Sequence, residues 1–308
     1  MGLAEEAKRG DIVRAATNST ASEIPPPRPV LRWHGGKWIL APWIIAHFPP
    51  HRIYVEPFGG AASVLMRKPR SYAEIYNDLD SDVVGLFQVL RNPDLSARLI
   101  AGLRLTPFAR LEFENAYEVV DDPVESARQL CIRSFMGFGS DGFNRDVRTG
   151  FRAQSNRSGT TPAHDWCNYP ESLLEVVKRL RGVVVENKDA IEVMRAHDCP
   201  TTLHYVDPPY MPETRSEKSR RTGEKYHAYR HEMTSADHVA LLEFLGGVDG
   251  MVVLSGYPND MYESMLEGWV RVERAALADG ARKRVEVLWI NPAAAAFLNR
   301  DLFSGSAA

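Results

Sequence analysis

Short runs of β-branched and aromatic residues alternate along the chain with longer stretches in which apolar residues recur every three to four positions. The short runs predict seven strands, at residues 53–55, 74–76, 183–185, 203–206, 251–254, 269–272 and 285–289. The longer stretches predict amphipathic helices, among them residues 81–90, 172–180 and 235–245. This alternation favours an α/β fold with a mostly parallel sheet.

The alternation stops between about residues 85 and 181. Helical patterns at residues 108–119 and 124–135 and a polar, glycine-rich loop occur there without strands. We therefore expect an insertion, residues 85–181, in an α/β domain built from residues 30–84 and 182–295. Residues 1–29 are polar and proline-rich and predict a disordered arm, and residues 296–308 are expected to form a C-terminal tail.

The composition is that of an ordinary globular protein, with 308 residues, 44% hydrophobic and 25% charged. No apolar run reaches the roughly 18 residues of a membrane span, and the first residues lack a signal-peptide pattern, so a cytoplasmic protein without membrane contact is expected. The three cysteines, Cys131, Cys167 and Cys199, have no C-x-x-C spacing. They predict reduced thiols and neither disulfides nor a metal site.

The first segment with candidate chemistry is a strand that ends in an acid and runs through a glycine turn into a helix. Its turn consists of Glu56, Pro57, Phe58, Gly59 and Gly60. Ligands of open α/β sheets bind beyond the carboxyl ends of the strands, where glycines allow close approach of the backbone. Asp78 follows the next strand and could accept hydrogen bonds from ribose hydroxyls. Taken alone, each segment fits a purely structural turn equally well.

The second segment is a strand that runs into Asp207-Pro208-Pro209-Tyr210. Prolines donate no backbone hydrogen bond, so the Asp207 carboxylate and the Pro208 carbonyl can face outward as acceptors. Two acceptors suit an amino group with two hydrogens, such as the exocyclic amine of a base on which Tyr210 could stack. The structural alternative is a Pro-Pro turn with Asp207 capping the next segment.

The third segment, Trp33-His34-Gly35-Gly36-Lys37, precedes the first helix. A phosphate-binding P-loop is excluded because its glycine spacing and its Ser or Thr after the lysine are missing. In isolation the segment fits a glycine turn with a solvated lysine.

In their order along the chain, these segments resemble the Dam-like, D12-class (alpha-group) family of DNA adenine N6-methyltransferases over about residues 30–292. The resemblance implies a Rossmann-like α/β sheet of the methyltransferases that use S-adenosyl-L-methionine (SAM), with an inserted, mainly helical target-recognition domain. It implies SAM as cofactor, double-stranded DNA as partner, and methyl transfer to N6 of a flipped adenine.

The resemblance also implies which residues act. The catalytic residues would be Asp207, Pro208, Pro209 and Tyr210. Cofactor contacts would come from Trp33, Gly36, Lys37, Glu56, Pro57, Phe58, Gly59, Gly60, Asp78, Asp189 and Asp207. Asp189 is expected either to hold the adenine amino group of SAM or to cap a surface helix.

The formal net charge of −3 by itself disfavours nucleic-acid binding, but two loops are locally basic. Residues 215–231 carry six Lys or Arg against two acids, and residues 141–157 carry four against two. The first loop is expected to clamp the DNA backbone and the second to read bases, although such runs also occur on merely solvated faces. The candidate DNA contacts are Arg145, Arg148, Arg152, Asn156, Arg220, Arg221, Lys225, Tyr226 and Arg230.

Several alternatives stay open. An N4-cytosine or RNA amino-methyltransferase, or a catalytically silent SAM-binding module that binds DNA, would share much of this pattern. Residues 137–156 lack the full Asn- and Phe-rich pattern of the GATC-methylating members, so GATC specificity is not implied. A monomer in the cytoplasm of a bacterial or phage-infected cell is expected, and a cognate restriction endonuclease is an open partner.

Overall fold

The computed structural model describes residues 25–139, 144–153, 159–211, 231–278 and 282–304. Its strands are β1 (Ile53–Glu56), β2 (Ala73–Asn77), β3 (Val183–Glu186), β4 (Thr202–Val206), β5 (Met251–Gly256), β6 (Val270–Ala278) and β7 (Arg282–Ile290). Each of them overlaps one of the runs that the sequence pattern predicts as a strand, and β6 extends six residues beyond its predicted end at residue 272.

Helices occupy most of the remaining described chain. They are α1 (Ala41–Ile45), α2 (Ser63–Arg67), α3 (Ser81–Arg91), α4 (Pro93–Leu105), α5 (Arg110–Asn115), α6 (Pro123–Met136), α7 (Pro162–Cys167), α8 (Tyr169–Leu180), α9 (Ala190–His197), α10 (Ser235–Leu245), α11 (Asp260–Met265) and α12 (Pro292–Ser304). Among the described residues, no helix has both the length and the apolar character that a membrane span requires.

The strands form one sheet in the order β3-β2-β1-β4-β5-β7-β6. Strands β1 to β5 pair in parallel, and β7 runs antiparallel to both β5 and β6. This mostly parallel sheet confirms the predicted α/β class and is consistent with a Rossmann-like methyltransferase fold. The chain leaves β1 towards one edge of the sheet and β4 towards the other. The crevice between their carboxyl ends is therefore a topological switch point, where ligands of open α/β sheets bind.

The central strands are buried on both faces, because helices cover the sheet on each side. All residues of β4 and of β5 are buried, which explains why their sequences read as continuous apolar runs rather than alternating ones. On β1, the register places Val55 beside Ile75 of β2 and His204 of β4. This register aligns the carboxyl ends of β1, β2 and β4, which carry the candidate chemistry.

Helices α3 to α8 lie between β2 and β3, in the segment predicted as an insertion. Their apolar side chains share one buried cluster with the sheet, including Phe87, Leu130 and Tyr169. Arg179 of α8 donates to both carboxylate oxygens of Glu74 on β2, at 2.6 and 2.9 Å, in a buried ion pair. The predicted boundary between residues 84 and 85 falls inside α3, and a separate recognition domain stays a prediction.

The described end of the predicted N-terminal arm contacts these helices. Arg28 pairs with the Asp165 carboxylate at 3.1 Å and lies 5.0 Å from the centre of the Phe135 ring. Ordered packing therefore begins before residue 30. At the other end, α12 extends through residues that the sequence pattern assigns to the tail.

Candidate active site

A cavity of about 550 Å³ opens at the carboxyl ends of β1, β2 and β4. All three candidate segments contribute to its wall. Of the predicted site residues, those lining it are Trp33, Gly36, Lys37, Glu56, Pro57, Phe58, Gly59, Gly60, Asp78, Asp189, Asp207 and Pro209. The fold thus brings together every residue predicted to contact the cofactor, from positions more than 170 residues apart in sequence.

Glu56 ends β1 beneath this cavity and is only 2% exposed. The Tyr54 hydroxyl donates to Glu56 Oε2 at 2.7 Å, and the Leu65 amide donates to the same oxygen at 2.9 Å. Burial nevertheless raises the pKa of Glu56 to about 8, because desolvation penalises the charged form more than these two donors stabilise it. At neutral pH the Glu56 carboxyl is therefore predominantly protonated.

The glycine turn after β1 is required by close packing. A Cβ on Gly59 would overlap the ring of Tyr76, and a Cβ on Gly60 would lie 2.5 Å from Trp33 Nε1. Gly60 also has φ +47°, in the left-handed region that favours glycine. The absence of side chains here lets the segment around Trp33 close against the turn, so the glycines shape the cavity wall.

Asp78 anchors the same turn from the end of β2. The Gly60 amide donates to Asp78 Oδ2 at 2.7 Å, and the Asp80 amide donates to Oδ1 at 2.8 Å. Burial raises the pKa of Asp78 to about 6. A carboxylate has about four acceptor sites, so Asp78 can accept an additional hydrogen bond when it is ionised.

Asp189 lies at the rim of the cavity and caps α9. Its Oδ1 accepts from the Ile191 amide at 2.9 Å and from the Glu192 amide at 3.1 Å. The capping alternative is thus present in the structure. The same side chain is exposed and lines the cavity, so a cofactor contact through its remaining acceptors stays a prediction.

The Asp207 carboxylate is held from two sides. Lys37 Nζ lies 3.0 Å from Asp207 Oδ2, and Ser255 Oγ donates to Oδ1 at 2.7 Å. Lys37 is 5% exposed, also donates to the Gly35 carbonyl at 2.8 Å, and lies 4.7 Å from the centre of the Tyr210 ring. The lysine is therefore built into the site and is not a solvated turn residue.

Tyr210 packs behind the acid and does not itself line the cavity. Its hydroxyl donates to Glu286 Oε2 at 2.9 Å, and its ring meets Tyr257 edge-on at a centroid distance of 4.3 Å. Burial raises the pKa of Glu286. Ser255, Tyr257 and Glu286 lie outside the three segments that the sequence predicts to carry the chemistry. Residues 252–257 and 282–288 resemble later strands of the family only loosely, which explains why these side chains were not predicted.

The described part of the second basic loop leaves the end of α6. Phe151 bridges to Gly137, and the Arg152 amide donates to the Met136 carbonyl at 2.8 Å. The guanidinium of Arg148 lies 5.2 Å from the centre of the Tyr117 ring. This loop is thus anchored to the end of α6 and to Tyr117, which follows α5. Of the predicted DNA contacts, six lie outside the described residues: Asn156, Arg220, Arg221, Lys225, Tyr226 and Arg230.

Arg145, in the same loop, is half-buried and its guanidinium lies 3.9 Å from Asp82 Oδ2. Asp82 also accepts from Arg133 of α6 at 3.2 Å. Asp82 lies in the first turn of α3, four residues after Asp78. The contact between Arg145 and Asp82 therefore brings the loop close to the end of β2, where Asp78 lines the cavity.

A sequence profile of the D12 class N6 adenine-specific DNA methyltransferases matches residues 33–269, about three quarters of the chain. The chain belongs to this family. Among individual members, the DNA adenine methylase of Serratia marcescens is 36% identical over 64 residues, and those of Escherichia coli (strain K12) and Salmonella typhi are each 38% identical over 64 residues. These matches cover 21% of this chain and 23% of each relative, so the chain matches about a quarter of the relatives' length.

Proposed function

We propose that the protein transfers a methyl group from SAM to N6 of an adenine in duplex DNA. One observation carries the proposal: the Asp207 carboxylate stands at the switch point of the sheet, at the wall of a cavity that the other two family segments complete. Acting on the DNA of a bacterial or phage-infected cell, the enzyme would work in the cytoplasm.

The residues present fit SAM as the cofactor. The cavity of about 550 Å³ lies within the range of roughly 300–1,000 Å³ that is usual for small-molecule sites. Its wall combines the apolar surfaces of Trp33 and Phe58 with acceptors from Asp78 and Asp189 that suit ribose hydroxyls and an adenine amine. A bound SAM would supply an electrophilic methyl group there, and the proton that N6 loses on methylation would pass to water.

On this proposal, the chain's own residues bind and orient the amine. Asp207 and the Pro208 carbonyl accept the two N6 hydrogens, and Pro209 contributes no backbone donor that would compete. Accepting both hydrogens directs the nitrogen lone pair away from the acceptors and towards the cofactor side of the cavity. Burial raises the pKa of Glu56 to about 8, which disfavours Glu56 as a base at neutral pH, and the proposal assigns the rate to positioning and electrostatics.

The proposal assigns Tyr210 the task of stacking on the flipped adenine. Rotating a base out of the duplex costs a few kcal/mol, which stacking and hydrogen bonds in the pocket must offset. The hydrogen bond to Glu286 fixes the plane of the Tyr210 ring. Entry of a base next to Tyr210 requires rearrangement of the ring contact with Tyr257, because Tyr210 is 7% exposed.

We further propose that residues 85–181 act as the target-recognition region. Arg145, Arg148 and Arg152 belong to a loop whose base is fixed to α6, and Arg148 is exposed. Arginine in such a loop suits phosphate and base-edge contacts. The proximity of Arg145 to Asp82 supports a placement of DNA across the mouth of the cofactor cavity.

The test is mass spectrometry of nucleosides from DNA incubated with the protein and SAM that carries a deuterated methyl group. We expect labelled N6-methyladenine, and Asp207→Ala should reduce it at least about 10³-fold while circular dichroism shows that the fold is retained. Asp249→Ala, which alters an exposed acid outside the cavity, serves as the matched control. Labelled N4-methylcytosine in place of N6-methyladenine, or no labelled nucleoside, would each refute the proposal.

A further inference from the structure

We infer that Ser255 is a positioning residue for methyl transfer, which holds the Asp207 carboxylate so that Oδ2 is the oxygen that accepts from the adenine amine. The inference rests on the proposed function and adds to it a residue outside the three segments that the sequence predicts to carry the chemistry. Ser255 would act through Asp207 and touch neither the base nor the cofactor.

The hydrogen-bond geometry gives the contact a direction. Ser255 Oγ lies 2.7 Å from Asp207 Oδ1, and the Tyr205 hydroxyl lies 3.2 Å from Ser255 Oγ. A hydroxyl has one hydrogen, and an ionised carboxylate can only accept. Ser255 must therefore give its hydrogen to Asp207, and Tyr205 must donate to Ser255. The result is a short relay, Tyr205 to Ser255 to Asp207, that ends on one particular oxygen.

The scaffold makes this contact rigid. Val206 of β4 is paired with Leu254 of the parallel strand β5. The residues that follow them, Asp207 and Ser255, therefore lie side by side. Ser255 is 1% exposed and lies within β5, where strand pairing fixes its backbone. A group on a packed strand positions its partner more accurately than one on a loop.

The other carboxylate oxygen is the one left for the substrate. Asp207 Oδ2 contacts Lys37 Nζ at 3.0 Å and keeps a second lone pair for another donor. Rotation about the terminal bond of an aspartate is soft, because this torsion has broad minima. Without Ser255 the carboxylate can turn about that bond, and the acceptor direction offered to N6 is no longer defined. Removing the Ser255 hydroxyl should therefore lower kcat and weaken the preference for a base that carries the N6 amine over one that lacks it.

The experiment compares Ser255→Ala with the wild-type protein in three measurements. The first is kcat for DNA methylation, which we expect to fall about 10- to 100-fold, the range for loss of a hydrogen bond to a charged group. The second is the Kd for SAM from tryptophan fluorescence, and the third is the melting temperature. We expect both to stay close to wild type.

A binding assay supplies a readout that needs no turnover. Two duplexes carry either adenine or purine at the position that the wild-type enzyme methylates, as mapped by single-molecule sequencing of its product. The purine duplex lacks the N6 amine and leaves the acceptors of the pocket unpaired. We expect the wild-type protein to prefer the adenine duplex and Ser255→Ala to lose most of that preference.

Two further variants make the result interpretable. Thr202→Val removes another fully buried hydroxyl, at the opposite end of β4, whose Oγ1 donates to the His197 carbonyl at 2.6 Å. We expect it to leave kcat unchanged. Tyr205→Phe removes only the upstream donor of the relay, so its loss in kcat should be smaller than that of Ser255→Ala.

The outcomes separate the two proposals. A Ser255→Ala variant with kcat within twofold of wild type overturns the positioning role, as does a parallel loss of SAM affinity and melting temperature, which would mark a structural role. Either result leaves the proposed function intact, because the wild-type enzyme is active in that experiment. A wild-type protein that methylates no DNA refutes the proposed function and this inference with it.

Discussion

Replacing Glu56 by Gln should make folding stability less dependent on pH. In the folded protein, burial raises the pKa of Glu56 from 4.5 to about 8. In the unfolded chain the carboxyl is solvated and ionises near its ordinary value. The stabilisation that comes from the protonated form is therefore fully present below pH 4.5. It is lost progressively as pH rises towards the folded-state pKa of about 8.

The magnitude follows from the width of that interval. Each pH unit between the two pKa values changes the free energy of unfolding by about 1.36 kcal/mol per titrating group. Between pH 5.5 and 7.5, ionisation of Glu56 should thus lower the free energy of unfolding of the wild-type protein by about 3 kcal/mol. A glutamine carries no titratable proton, and its amide oxygen can accept from both the Tyr54 hydroxyl and the Leu65 amide. The Glu56→Gln variant should therefore not show this pH-dependent loss of stability.

Urea unfolding followed by tryptophan fluorescence at pH 5.5 and pH 7.5 measures the difference. Other titrating groups contribute equally to both proteins. The informative quantity is therefore the change in the free energy of unfolding between pH 5.5 and pH 7.5 for wild type, minus the same change for Glu56→Gln. Glu175→Gln, at a partly exposed site on α8, is the matched control and should behave as wild type. Equal pH dependence in wild type and Glu56→Gln would refute the assignment of a protonated carboxyl beneath the cavity.

Three further variants test the site. Gly59→Ala should lower stability by about 1–3 kcal/mol in urea unfolding, because its Cβ would overlap the ring of Tyr76. Tyr210→Phe should lower kcat about tenfold, and adding Glu286→Gln should cause little extra loss, since both changes act on one hydrogen bond. Calorimetric affinity for SAM should fall as pH drops through about 6, where Asp78 becomes protonated, and Asp78→Asn should remove most of that pH dependence.

Each of these expectations has its own contrary result. Gly85→Ala is the control for Gly59→Ala, because a Cβ there meets no atom within 4 Å, and in a helix alanine should stabilise by up to about 1 kcal/mol. Independent, additive losses from Tyr210→Phe and Glu286→Gln would show that the two side chains do not act together. Constant SAM affinity from pH 7.5 to pH 5 would exclude the Asp78 carboxylate from cofactor binding.

Much of the fold was predictable because its signals are local. Apolar runs and helical periodicity record which face of each element is buried, and all seven strands follow from them. The functional segments were predictable for a related reason. The turn 56–60 and the sequence Asp207-Pro208-Pro209-Tyr210 combine a strand end with backbone-restricted residues, and parallel strands align such ends at one edge of the sheet.

The chemistry inside the site was less accessible from the sequence. Sequence reasoning placed Tyr210 as a free stacking surface, whereas in the structure its hydroxyl is bound to Glu286, 76 residues away. Arg145 was predicted as a DNA contact from local charge alone, and its pairing with Asp82 depends on how α3 and α6 pack.

By itself, then, the sequence determined the α/β class, the order of the strands along the chain, and the acid and glycines at the strand ends. Only the tertiary structure decided that Ser255 meets Asp207 across 48 residues and that Glu56 is protonated at neutral pH. The physical reason is that hydrophobic periodicity is encoded within a few residues. Register between strands and desolvation of a carboxyl arise only when distant segments pack together.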